Sequence, residues 1–434
     1  MKNTFRSLSA PNYRLWVIGA LVSNLGTWMQ RTAQDWLVFT ELTETSATAL
    51  GMVMALQFGP QFLLLPLTGY AADHFPLRKL VFITQSTMAL LALVLGVLVV
   101  SGQVQLWHVY LIALLLGCTT AFDMPARQTF VSELVPDHHL TNAVALNSTS
   151  FQSARLVGPA VAGLLIALVG TGWVFLINGF SFIAILLAIS LMRADQLRYR
   201  DLAATPPGGM LQGFRYIAAN RQILIAMLMF MLIGTFAINF PVYLSTMGVK
   251  EFGVGAGRFG LMTSMIAVGS VLGALMAANR EQPGMRHLLL GALLLGCALS
   301  LAALMPGLVS FCLVLVLVGV SAQTFMTSVN SAVQMWTIPV MRGRVISIVF
   351  ALSVGGTPLG ALSVGWVADS FGPRLAMGVG AAAGFLAAGV GLFYVLRYGI
   401  KEGVRPPGSP PAKATTDPQT EPQGAVSGRD KTRD

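Results

Sequence analysis

Gly69-Tyr-Ala-Ala-Asp73-His-Phe-Pro76-Leu-Arg78-Lys79 is a short polar interruption between two apolar runs, 50–72 and 80–100. At about 1.5 Å per residue, each run is long enough to cross a hydrocarbon core of about 30 Å as a helix. The connection must therefore reverse the chain within a few residues at one membrane face. Its residues suit a tight reversal, with a Gly, an acid four positions on, a Pro that stops helices, and a basic pair.

The same balance holds along all 434 residues, of which 55% are hydrophobic and only 10% charged, with a mean hydropathy of +0.71. So little polar surface cannot wrap a soluble core of this size, and the chain reads as an all-α polytopic membrane protein. A formal net charge of +10 would suit nucleic acid, yet no polar segment interleaves aromatic with basic residues. Positive-inside bias accounts for the excess, so the expected partners are a bilayer and a small molecule, with no nucleic acid.

Cys118, Cys297 and Cys312 all lie in apolar runs without C-x-x-C spacing and read as small core residues. The histidines show no metal-ligand spacing, and there is no Walker sequence or local Ser/His/Asp signature, so neither a metal, a resident cofactor nor an enzyme is expected. The N-terminus has no signal-peptide h-region and cleavage site, and the first apolar run is expected to be retained.

Twelve apolar runs are long enough to span: 14–37, 50–73, 80–100, 106–126, 142–169, 172–192, 222–245, 258–279, 287–305, 309–329, 344–368 and 374–397. One set of alternate connections holds most of the Lys and Arg residues, among them Arg78, Lys79, Arg127, Arg193, Arg280 and Arg342. The other holds little beyond Lys250 and Arg374, with Glu41, Glu44, Glu251 and Asp369 as acids. This places both termini in the cytoplasm of an inner, or plasma, membrane. Residues 194–220 form the longest internal connection, with an amphipathic stretch from Met210 to Arg221 expected to lie along the inner surface. It divides a six-helix bundle, 1–193, from a second, 221–400. The Pro-, Gly- and Ser-rich tail, 401–434, is expected to be disordered.

The fifth and eleventh runs repeat one device. Ala154-Arg-Leu-Val-Gly158-Pro159 leads to Gly163, Gly170 and Trp173, and Gly356-Thr-Pro358-Leu-Gly360 leads to Gly365, Trp366 and Gly372. Two pseudo-symmetric halves are the expected result. Small residues let such a helix approach a neighbour closely, and Pro159 removes one backbone donor.

Ionisable residues inside a span cost about 2.5–3.5 kcal/mol on insertion scales and usually face a cavity. The first run holds Asn24, Gln30, Arg31, Gln34 and Asp35. Arg31 and Asp35 are four apart and share a face, so they could pair and Asp35 could carry a proton as the cavity opens to either side. The alternative is an ion pair at the outer interface beside an anchoring Trp36. In the second half Asn239 and Gln323 are candidate polar contacts. Aromatic residues such as Trp28, Phe58, Phe236, Phe240 and Phe325 would suit a bulky amphipathic ligand. Pro125 is expected to end the fourth helix, which would leave Asp123 and Arg127 at the headgroups.

Gly69, Asp73, Arg78 and Lys79 resemble the loop signature of the major facilitator superfamily, although His74, Pro76 and Leu77 depart from it. Ala126-Arg-Gln-Thr-Phe-Val-Ser-Glu-Leu-Val-Pro and Asn142-Ala-Val-Ala-Leu-Asn-Ser are similar to the branch holding enterobactin exporters and macrolide-efflux proteins. The resemblance implies twelve helices in two six-helix bundles and secondary transport by alternating access. It also implies a gate in which Asp73 and Arg78 form a relay with Asp123, with Arg127 as a further partner. Ala154, Gly158, Pro159 and Gly163 resemble the antiporter signature, a seal that points to export. The expected activity is proton-coupled efflux of a drug, macrolide or siderophore by a monomer. The rivals are a lysophospholipid flippase, an importer of the same fold and a membrane-embedded enzyme.

Overall fold

A computed structural model describes residues 5–64, 67, 68, 71, 74–198, 209–278 and 284–399. Gly69 and Asp73 of the expected gate, much of the central connection and the tail from 401 lie outside the described residues.

All regular structure among the described residues is helical. Nine helices there are long and apolar enough to cross a membrane. Span 3 is Leu77–Val100, span 4 Leu106–Glu133, span 5 Asp137–Val169 and span 6 Thr171–Leu191. Span 7 is Arg221–Glu251, span 8 Ala256–Ala278, span 9 Met285–Ala303, span 10 Leu308–Trp336 and span 12 Pro373–Tyr398. The other three expected places are filled by less regular helices. Span 1, Pro11–Trp36, carries the polar residues that lower its hydropathy. Span 2, Ala47–Leu63, is described only in part. Span 11 is two helices, Pro339–Gly355 and Thr357–Phe371, that meet at Gly356.

Two boundaries depart from expectation. Pro125 lies inside span 4, which runs two further turns to Glu133, since a proline removes one hydrogen bond and kinks a helix without having to end it when packing continues on both sides. Asp123 is accordingly 2% exposed rather than at the headgroups. Span 7, expected to be continuous, opens into a π-turn at Ile233–Ala237 and restarts at Phe240, with Pro241 in its first turn.

The halves repeat structurally as well as in spacing. Spans 1 and 7 both end in π-turns, Leu37–Leu42 and Thr246–Glu251. In the first half Thr171, at the start of span 6, donates to Glu41 at 2.9 Å. In the second, Arg374 at the start of span 12 donates to Glu251 at 2.9 Å. The turns before spans 6 and 12 use Gly170 and Gly372 at φ 89° and 94°, a region that other residues rarely enter. Each half packs mainly within itself, span 1 on 5 and 6, span 9 on 10 and 12, while spans 2 with 11 and 5 with 8 join the halves.

The face bearing Arg78 and Lys79 (the loop face) and the face bearing Glu41, Lys250 and Asp369 (the far face) are built differently. One apolar core runs through the second half and into the far-face ends of the first, taking in Leu37, Phe39, Leu50 and Phe175. The loop-face end of the first half has a separate core around Tyr13, Trp16, Phe130 and Phe182. The halves are thus fused at the far face and distinct at the loop face. The helix Gly209–Ala219 of the central connection docks on the start of span 11: Arg344 donates to Gln212 at 2.6 Å, and Ile217 is buried while Phe214 stays 47% exposed.

Candidate functional site

A cavity of about 300 Å³ lies between the halves, walled by spans 1, 2 and 5 on one side and 7, 8, 10 and 11 on the other. Arg31 and Asp35 both line it. Span 1 continues through its π-turn to Leu42, so Asp35 sits about two turns inside the helix end rather than at the outer interface. Trp36 is no interfacial anchor either, because its ring lies 5.6 Å from that of Phe259 in the other half.

A third ionisable side chain, Arg155 of span 5, also lines the cavity. Both guanidiniums rest on the indole of Trp28, at 5.0 Å for Arg31 and 5.5 Å for Arg155, a cation–π arrangement that favours cations in desolvated sites. Among the described residues, no carboxylate oxygen comes within 4 Å of either one. Sequence reading passed over Arg155 as part of a glycine-proline motif, although a lone Arg in an apolar run is the same signal that marked Asp35. The rest of the lining is mostly apolar, with Phe58, Phe240, Phe259 and Met326 prominent.

The other polar candidates lie elsewhere. Asn24 accepts from Arg127 at 3.1 Å, and Gln30 is buried against Asn178 of span 6, so both serve contacts within the first half. Asn239 is fully buried and donates to Thr235 O at 2.7 Å, satisfying a carbonyl at the break in span 7. Gln323 donates to Thr327 one turn on. Phe325 is core, while Trp28, Phe58 and Phe240 face the cavity.

Arg78 and Asp123 of the expected relay are not brought together. Arg78 donates to Ile189 O and Ser190 O at 2.8 and 3.2 Å, capping the end of span 6. Asp123 accepts from Thr84 and Gln85 of span 3 at 2.6 and 2.8 Å and faces Arg127 at 3.8 Å. Lys79 is exposed. The reason is depth: once span 4 passes Pro125, Asp123 stands inside the bundle beside span 3, out of reach of a side chain bound at the end of span 6.

The antiporter-like residues divide by face. A Cβ on Gly158 would meet Trp28 of its own half at 2.6 Å, whereas one on Gly163 would meet Ala256 O of span 8 at 2.6 Å and Gly260 Cα at 3.0 Å. Ser264 of span 8 also donates to Leu156 O at 3.0 Å, in the turn loosened by Pro159. Gly163 and Pro159 therefore lie in a seam between halves. Spans 2 and 11 make a second seam, where a Cβ on Gly365 would lie 2.5 Å from Ala47 O.

Asp369, one residue past the eleventh apolar run, clamps that second seam at the far face. Its carboxylate accepts from the N–H groups of Ala47 and Thr48 at 2.8 Å each and pairs with Lys250 at 2.9 Å. It thereby ties the start of span 2 to the ends of spans 7 and 11. Asp369→Asn, which keeps the shape but removes the charge, is therefore expected to lower the midpoint of thermal unfolding followed by tryptophan fluorescence. An unchanged midpoint would remove the clamp.

The profile of the family described as transmembrane secretion effector matches residues 2–413. The staphyloferrin A transporter of Staphylococcus aureus is 28% identical over 80% of this chain and 87% of its own. The multidrug efflux pump Tap of Mycolicibacterium fortuitum is 25% identical, covering 82% and 89%. The enterobactin exporter EntS of Escherichia coli O1:K1 is 26% identical, covering 81% and 84%. Among solved structures, an inward-facing bacterial homologue of the human lysosomal transporter Spinster aligns over 88% of this chain and 97% of its own. Its TM-score is 0.69 at 14% identity, a likeness of fold.

Proposed function

Because this chain belongs to the transmembrane secretion effector family of major facilitator transporters, we propose that it exports a bulky, amphipathic small molecule by alternating access, driven by protons. The observation that carries the reading is a largely apolar cavity between the halves with Arg31, Asp35 and Arg155 in its wall, closed over at the far face by close-packed seams and the Asp369 clamp. In this reading the loop face is cytoplasmic, as its basic residues favour. Both termini share that side, and the protein works as a monomer without a resident cofactor.

The described state is then the one that loads. Substrate enters from the loop face, where the two cores are distinct. Opening the far face requires the 5–8 and 2–11 seams to part, and Asp35 carries the proton that returns. One proton crossing about 100 mV yields about 2.3 kcal/mol, enough for more than a tenfold gradient of a neutral solute. Relatives named as an efflux pump and an exporter favour the outward direction.

The test is a pH jump across proteoliposomes of known orientation, loaded in parallel with a siderophore, a macrolide, a lipophilic cation and a fluorescent lysophospholipid. Substrate-dependent proton movement with net export supports the reading. Net uptake would make the protein an importer, and movement of the lysophospholipid alone a flippase.

A further inference from the structure

We propose that the central cavity selects amphipathic organic anions, with the anionic group seated between Arg31 and Arg155 and the apolar body laid along Phe58, Phe240 and Phe259. The proposal rests on the reading of this cavity as the substrate site and deepens it.

The cavity's charge inventory is unequal. Among the described residues its lining holds two guanidiniums and one carboxylate. Arginine does not give up its proton in proteins, so the two positive charges persist whatever the cavity contains. Trp28 offers its π-face to both, which steadies the cations but supplies no negative charge to neutralise them. Asp35, one turn from Arg31, offsets one of the two at most. The remaining positive charge lies in a largely apolar enclosure, where an unmatched charge is costly and attracts a counter-ion strongly.

A ligand carboxylate, sulfonate or phosphate completes the site. Two guanidiniums, each within 5.5 Å of one indole, line the first-half side of the cavity, and in the proposed pose the oxyanion takes a fork from each. Such charge-assisted contacts are the stronger class of hydrogen bond, and the planar fork of arginine matches an oxyanion in shape as well as sign. A cationic ligand of the same size would meet two like charges and only one acid. The aromatic and methionine side chains opposite supply the apolar surface that an amphiphile's body needs.

Three dyes that share one fluorophore and differ in charge test this: dansylglycine, dansylamide and dansylcadaverine. Binding is measured at equilibrium by fluorescence on the full chain in neutral phosphatidylcholine nanodiscs, without any gradient. The wild type is expected to bind the anion at least about tenfold more tightly than the neutral dye and to bind the cation most weakly. Arg31→Gln and Arg155→Gln should each remove most of that preference, weakening the anion far more than dansylamide. Arg155→Lys, which keeps the charge but not the fork, should retain part of it. Equal affinity for the three dyes, a preference for the cation, unaltered preference in both Gln variants, or no saturable binding of the anion would overturn the proposal. Because the readout needs no transport, anion binding without export would sink the exporter and leave the selectivity standing. Export without charge preference would do the reverse.

Discussion

Asp35→Asn is expected to reduce efflux driven by a pH gradient to the level of protein-free liposomes while the protein still inserts and folds. Asp35 is the one carboxylate among the described residues that line the cavity. Asparagine has nearly its shape but cannot bind and release a proton, so under the proposed proton coupling the returning step has no group to use. Removal of the acid also leaves Arg31 without its neighbouring negative charge, which makes the cavity more positive, so binding of an anionic dye is not expected to weaken. Energised net transport and gradient-free exchange should therefore separate. Counterflow of substrate across membranes without a pH gradient should survive in the variant. Undiminished pH-driven efflux would reject Asp35 as the coupling group, and loss of counterflow as well would show that the side chain holds the site together rather than coupling it.

The second large effect is steric. Gly163→Val puts a branched side chain into the seam between spans 5 and 8, where even a Cβ would stand 2.6 Å from Ala256 O and 3.0 Å from Gly260 Cα. Both obstacles are backbone and cannot rotate away, so the helices must separate. Overpacking of this sort costs about 1–3 kcal/mol. Set against a two-state equilibrium, that cost shifts the populations by about fivefold to about 150-fold toward the state with the far face open. The readout is a cysteine placed at Thr263, a cavity residue of span 8, in a background without the three native cysteines. A membrane-impermeant maleimide added from the far face should leave it largely unlabelled in the parent and label it rapidly in Gly163→Val, with efflux falling in parallel. Gly158→Ala is the control, since a Cβ there meets Trp28 within the same half and should disturb the cavity wall without unsealing the far face. Equal labelling of parent and Gly163→Val would remove the seam from the mechanism.

The difference between these two glycines shows where sequence reading reached its limit. Spacing within the fifth run marks Gly158, Pro159 and Gly163 as one motif, yet five residues of helix turn the last away from the first by more than a right angle. One packs inward on span 1 and the other across the molecule on span 8. The same limit explains Asn24, Gln30 and Asp35. All three lie on span 1 and all are costly in lipid, but Arg127 and Asn178 satisfy the first two within the first half. Asp123 was legible as a functional acid by resemblance, while its partners, Thr84 and Gln85 of span 3, depended on a helix that does not stop at its proline. Asp369 appeared in the sequence only as one acid of a lightly charged set of loops.

Composition and periodicity by themselves determined that the chain is helical and polytopic, that twelve runs can span, that it falls into two similar halves and which face carries the basic residues. Each of these is settled by the solvent: a segment of some twenty apolar residues can satisfy its backbone in lipid only as a helix, whatever surrounds it. Only the tertiary structure decided which polar groups remain for a ligand. That is a question of rotation about each helix axis and of contacts between residues more than a hundred positions apart. It left Arg31, Asp35 and Arg155 facing the space between the halves, and set Asp369 where it holds one side of that space shut.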